Sequence, residues 1–249
     1  MKIKLTFISD KKIIFPRGYN EYIQAFIYRH LDHAESQWLH DNGFSYEKRR
    51  YKLFTFSDIV PRGKYNKVTG TFIYPERISL YVSSPVHWIL EQLARNNIIS
   101  EEIILGKNNL HVESVEIMGN EYIELSPVKV RTLSPIEAHT TFEKEDGKKK
   151  THYYTPFEND FSDQINANIK KKWQSLHETE LSDNITIKPL FNGNKYERIR
   201  FFGTGENKTV IKAWHGYFEL QGTPEVIAFA LDAGLGSRNS QGFGMIEVV

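Results

Sequence analysis

Residues 209–234 read TVIKAWHGYFELQGTPEVIAFALDAG. Thr209 to Leu220 is rich in the β-branched and aromatic residues of a strand. Thr223-Pro224 then opens a helix, with a hydroxyl at the cap and proline at the first helical position. Val226, Phe229 and Ala230 share one helical face, and Gly234 ends it. The same order occurs in residues 72–98, FIYPERISLYVSSPVHWILEQLARNNI. There, Phe72 to Val82 read as strand, Ser84-Pro85 as cap and first turn, and Val86, Ile89, Leu90, Leu93 and Ala94 as a helical stripe. A strand-then-helix module present in both halves points to a duplication.

The flanks decide its kind. At the start, Ile3, Leu5 and Phe7 alternate with Lys2, Lys4 and Thr6, the period of a half-buried strand. After Pro16 and Gly18, the residues Tyr19, Tyr22, Ile23, Phe26, Ile27, Leu31 and Ala34 make a helical stripe. Lys52 to Phe56 reads as a second strand, and His111 to Met118 closes the unit. In the second half, Val128, Val130 and Thr132 alternate with Lys129 and Arg131. Glu158 to His177 is a helix with Asp160 and Asp163 near its start and Lys170, Lys171 and Lys172 further along, as the macrodipole favours. Strand residues from Ile185 to Phe202 and a last strand from Phe243 to Val249 complete the series. Both halves read βαββαβ, which predicts an α+β fold of two tandem ferredoxin-like domains, residues 1–122 and 123–249.

The chain has 249 residues, with 32 Lys and Arg against 31 Asp and Glu. Bulk charge therefore predicts no polyanion partner, and any basic surface must be local. With no cysteine, thiol nucleophiles, thiolate zinc sites and iron-sulfur clusters are excluded. His30 and His33 lack an HExxH context, so neither metal nor cofactor is expected. The N-terminus has no signal-peptide core and no segment approaches a membrane span. A cytoplasmic protein is expected.

Between the last helix and last strand lies Gly234-Leu235-Gly236-Ser237-Arg238-Asn239-Ser240-Gln241-Gly242-Phe243-Gly244. Glycines here allow positive φ and close backbone approach, and exposed successive N–H groups would cradle a phosphate. Helix capping and a bulge explain them equally well. The loop follows a helix instead of opening one, so it is no dinucleotide fingerprint. Gly203 to Thr209 has the wrong spacing for a phosphate loop and falls in an expected hairpin. The loop with its continuation Met245-Ile246-Glu247-Val248 closely resembles the glycine-rich signature of the CRISPR-associated endoribonucleases that process repeat RNA, the Cas6 family. Phe26-Ile27-Tyr28, Trp38-Leu39-His40, Lys52-Leu53-Phe54-Thr55-Phe56-Ser57 and Leu133-Ser134-Pro135-Ile136 resemble that family's other blocks, in the same order.

The resemblance implies a metal-independent ribonuclease in which the ribose 2′-OH attacks the adjacent phosphate, leaving a 2′,3′-cyclic phosphate and a 5′-OH. By position it implies Tyr28, His40 and Lys52 as catalytic. The residue types suit the roles: a histidine moves protons near neutrality, a tyrosine orients or donates, and a lysine offsets charge growing on phosphorus. His30 and His33 are neighbouring alternatives to His40, although His30 lies near the apolar stripe and reads as structural. Asp41 to Tyr51 is a charged insert that departs from the family pattern.

From residue 47 to 67 the chain holds seven cations, Lys48, Arg49, Arg50, Lys52, Arg62, Lys64 and Lys67, against Glu47 and Asp58, with Tyr46, Tyr51 and Tyr65 interleaved. Cations with flat rings suit phosphates and unstacked bases. Lys129 and Arg131 add two cations on one strand face, and Gly236, Arg238 and Gly242 add the glycine loop. The expected partner is CRISPR repeat RNA, with other CRISPR effector subunits and a homodimer left open. Two other readings remain: a non-catalytic RNA-binding protein of the same superfamily holding guide RNA in an effector complex, and a ferredoxin-like protein that binds a small molecule or another protein.

Overall fold

The computed structural model describes residues 1–100, 102–119, 126–143, 147–202 and 209–249. The expected domain boundary at 122/123 and residues 203–208 of the second glycine stretch lie outside them. In the first half, β1 (Lys2–Ile8) leads to α1 (Asn20–Arg29) and α2 (His33–Asp41). Then come β2 (Thr55–Phe56), β3 (Arg77–Ser83), α3 (His87–Ile98), β4 (Ile103–Leu105) and β5 (Asn108–Met118). The sheet order is β2-β3-β1-β5-β4, antiparallel throughout. Ile3, Leu5 and Phe7 are fully buried, as period-two alternation requires.

The second half runs β6 (Val128–Thr132), α4 (Asn159–His177), β7 (Thr186–Pro189), β8 (Tyr217–Gln221), α5 (Pro224–Ala233) and β9 (Ile246–Val248). Its sheet order is β7-β8-β6-β9. Taken in chain order within each unit, both sheets run second, third, first, fourth, and the first unit adds β4 at its edge. The fold is α+β with two ferredoxin-like units. No helix among the described residues is long and apolar enough to cross a membrane.

Several elements depart from expectation. The stripe from Tyr19 to Ala34 is two helices, because the chain turns where His30 Nδ1 meets the Phe26 carbonyl at 2.9 Å and Arg95 of α3 clamps extended Asp32 at 2.6 Å. Ser84-Pro85 stands two residues ahead of its helix, with Ser84 Oγ accepting the Val86 N–H at 3.0 Å. Thr223-Pro224 opens α5 as expected. The run Lys52 to Phe56 contracts to Thr55–Phe56, and Thr209 to Leu220 breaks into Thr209–Trp214 and β8 at Gly216, whose φ is +139°. The charged insert forms a hairpin, Phe44–Tyr46 against Arg49–Tyr51.

Each unit has its own core, one around Phe7, Phe26 and Phe54, the other around Phe161, Ile165 and Phe218, and Leu176 of α4 packs against both. The glycine loop fastens them: Thr55 Oγ1 donates to the Phe243 carbonyl and Asn20 Nδ2 to the Gln241 carbonyl, both at 2.8 Å. A second fastening is ionic. Asp58 of the first unit takes Arg200 on one oxygen and His215 Nε2 on the other at 3.0 Å. Burial alone would raise the Asp58 carboxyl, but Arg200 and His215 overcome it and hold the group well below the usual carboxylate range.

Candidate active site

α1 and α2 are joined by the turn at residues 30–32, and the Ser36 hydroxyl of α2 donates to the Tyr28 carbonyl at 2.8 Å. This brings Tyr28 beside His40, their rings edge to face with centroids 5.6 Å apart. Tyr28 also leans on buried Phe54 at 5.8 Å. Burial pushes its hydroxyl pKa well above the tyrosine norm, so it stays protonated at any physiological pH. His40 sits in the last turn of α2 with its side chain 73% exposed, and its Nδ1 lies 2.8 Å from Asp41 Oδ1. An Nδ1–H donated to that carboxylate leaves Nε2 as the free lone pair.

Lys52 lies between the insert hairpin and β2, and Leu53 after it adopts φ +52°. A left-handed leucine costs about 1–2 kcal/mol; here burial of the side chain and a 2.6 Å bond from Ser84 Oγ to the Leu53 carbonyl hold it. Lys52 Nζ reaches the end of α2, donating to the Leu39 carbonyl at 2.5 Å and the His40 carbonyl at 2.6 Å. Two orphan carbonyls are thereby capped by a cation, as the helix dipole favours. Burial, and then Arg50, lower the pKa of Lys52. Tyr28, His40 and Lys52 are thus gathered at one helix end.

Two cavities flank that point. Tyr28 and His40 line one of about 640 Å³ with Gln24, Arg29 and His33. Lys52 lines the other, about 340 Å³, between the insert hairpin, α4 and the glycine loop. Arg49, Arg50 and Arg238 share the second cavity, and Lys48 is exposed on the hairpin turn. Arg62 opens instead onto a separate pocket with Arg17, Arg198 and Arg200, and exposed Lys64 is on the strand Lys64–Asn66. Lys129 and Arg131 are not free cations: Lys129 Nζ stands 5.0 Å from the Tyr217 ring centre and Arg131 pairs with Glu247.

Several N–H groups of the glycine loop are used inside the fold, as the capping reading expects. Leu235 donates to Gly244, Ser237 to Glu137, Gln241 to Arg238 and Gly244 to Pro135. Gly236 and Gly242 are buried at φ +69° and +82°, where a Cβ would strike the Glu137 carbonyl and the Asn20 and Phe56 side chains. These two glycines therefore serve close packing instead of surface contact. Lys172, read from sequence only as one of three cations favoured by the macrodipole, is 2% exposed, with Nζ on the carbonyls of Gly234 at 2.7 Å and Gly236 at 3.0 Å. Ile165, Asn168, Ile169 and Lys172 share the buried stripe of α4, so the period carried a signal that residue type obscured. Also missed were Asp41 as the histidine's partner and the fully buried Glu137, whose carboxylate meets His139 Nδ1 at 2.5 Å.

The family described as "CRISPR associated protein Cas6, C-terminal" matches residues 119–248. Among curated proteins, the chain is 26% identical to "CRISPR-associated endoribonuclease Cas6 1" of Methanocaldococcus jannaschii, covering 99% of this chain and 92% of that protein. It is 22% identical to "CRISPR-associated endoribonuclease Cas6" of Pyrococcus furiosus, over 96% and 86%. Among solved structures, one titled "CRISPR associated protein Cas6" superposes with a TM-score of 0.76 at 25% identity, over 100% of this chain and 99% of that one. The family match spans more than half the chain and the curated relatives extend it to nearly the whole length, so the chain belongs to the Cas6 family of CRISPR-associated endoribonucleases.

Proposed function

We propose that the chain cuts CRISPR repeat RNA without a metal, by attack of a ribose 2′-OH on the adjacent phosphate. The observation that carries this reading is the gathering of Tyr28, His40 and Lys52 at the end of α2. His40 Nε2, with Nδ1 engaged by Asp41, takes the 2′-OH proton. The 2′-oxygen bonds to phosphorus, the P–O5′ bond breaks, and 2′,3′-cyclic phosphate and 5′-OH ends result. Lys52 has two of its three N–H groups on carbonyls; the third faces the charge growing on the phosphoryl oxygens. Tyr28, neutral before the step, donates its proton to the departing 5′-oxygen; the phenolate is reprotonated from solvent in the open cavity, and His40 returns the 2′-OH proton to solvent. Exposed Lys48, with Arg49, Arg50 and Arg238 around the second cavity, holds the RNA backbone. The catalytic group then belongs to a unit of residues 1–122, and the glycine loop to a unit of residues 123–249. Other effector subunits and a second copy of the chain are candidate further partners, checked by the native mass of the RNA complex.

Cleavage of a repeat RNA in EDTA tests the reading. Replacing the 2′-OH at the cut by hydrogen should abolish it, and His40→Ala should slow it by about 10²- to 10⁴-fold. An unchanged rate in either case overturns the assignment. Tight binding with no cutting by the native chain would indicate a guide-RNA holder.

A further inference from the structure

The second cavity is lined by Arg49, Arg50, Lys52, Lys172 and Arg238, with no carboxylate among its lining residues. It also gathers polar atoms that the fold leaves unserved. Of the buried side-chain atoms without a hydrogen-bond partner among the described residues, Tyr51 Oη, Asn168 Oδ1 and Arg238 Nε belong to its walls. Asn168 is only 7% exposed. A native fold rarely strands several polar side chains around one cavity.

Lys172 is the buried cation of this positive cavity. A buried amine with nothing but two carbonyls for company is costly to charge, and burial brings its pKa down to about 7. A neutral amine has two N–H groups, enough for the carbonyls of Gly234 and Gly236. Protonation adds a third, which an anion in the cavity would accept. The titratable groups around it are Arg238 on the glycine loop, Lys52, Tyr51 and the two hairpin arginines, and His139 with Glu137 behind it.

We propose that this cavity is a phosphate subsite, in which Lys172, Arg238 and the Asn168 amide, turned so that Nδ2 donates where Oδ1 now stands unpartnered, grip one phosphodiester of the RNA beside the bond being cut. The proposal rests on the catalytic reading, because Lys52 is both the wall of this cavity and the neighbour of His40. It adds two residues of α4, Lys172 and Asn168, that the glycine motif does not mark.

The test is a phosphate walk. In a repeat RNA carrying hydrogen for the 2′-OH at the cut, each phosphate in turn is replaced by a neutral methylphosphonate, and binding is measured for the native chain, Lys172→Met, Arg238→Ala and Asn168→Ala. One replacement within about two nucleotides of the cut should weaken native binding tenfold or more, and cost little further in Lys172→Met or Arg238→Ala. If Lys172→Met does not fold, Arg238→Ala and Asn168→Ala carry the comparison. Equal penalties at every position, or the same pattern in native and variant chains, overturn the subsite. Cutting of ordinary repeat RNA is followed in parallel. Cutting without a coupled phosphate defeats the subsite alone, and a coupled phosphate without cutting defeats the catalytic reading alone.

Discussion

Lys172 has a measurable signature. Its amine binds a proton with a pKa of about 7 in the fold and 10.5 as an ordinary lysine. Between those values the unfolded chain holds one more proton than the folded one, so raising the pH stabilises the fold, by roughly 1.4 kcal/mol per pH unit from this group. Urea unfolding at pH 7, 8 and 9 should show that slope in the native chain and a slope lower by that amount in Lys172→Met; equal slopes would refute it. At this scale the site was only partly legible. His40 and Lys52 stand in blocks whose order a reader can follow, but the carbonyl caps on Lys52 depend on a left-handed Leu53, which nothing in the residue type announces. Lys172 was legible by period and hidden by its charge.

Among elements, the glycine loop and the strand before it have defined sensitivities. Gly244 has φ +78°, and a Cβ there would strike the Leu235 carbonyl and Asn239 Nδ2. Gly244→Ala should cost about 2–4 kcal/mol, read from the denaturant midpoint. Ser84→Ala removes the bond that steadies Leu53; a loss of about 1–2 kcal/mol should come with slower cleavage, since Lys52 immediately precedes Leu53. Full stability or full rate in that variant would disconnect the two. Helix and strand identities were readable because a period is local. Their ends were not: the break at His30 depends on contacts with α3, and the strand expected from Lys52 begins only at Thr55, where pairing with β3 begins.

Across the whole molecule, the duplicated order of strands was legible because each half repeats it, whereas the joints between halves were not. Asp58 meets partners 142 and 157 positions away, and no pattern in sequence relates them. Asp58→Asn should cost about 3 kcal/mol by leaving Arg200 without its counter-charge. Because the folded carboxyl titrates below its ordinary 3.8, its contribution is full above about pH 5 and fades as acid is added. The acid-unfolding curve of Asp58→Asn should accordingly be flatter than that of the native chain. The same joints make the peptide link between the units redundant as a fastener. Thr55 on Phe243, Asn20 on Gln241 and Ser83 on Asp232 would persist in a chain severed between Gly119 and Ser126. Two fragments made together should therefore copurify as a complementing pair.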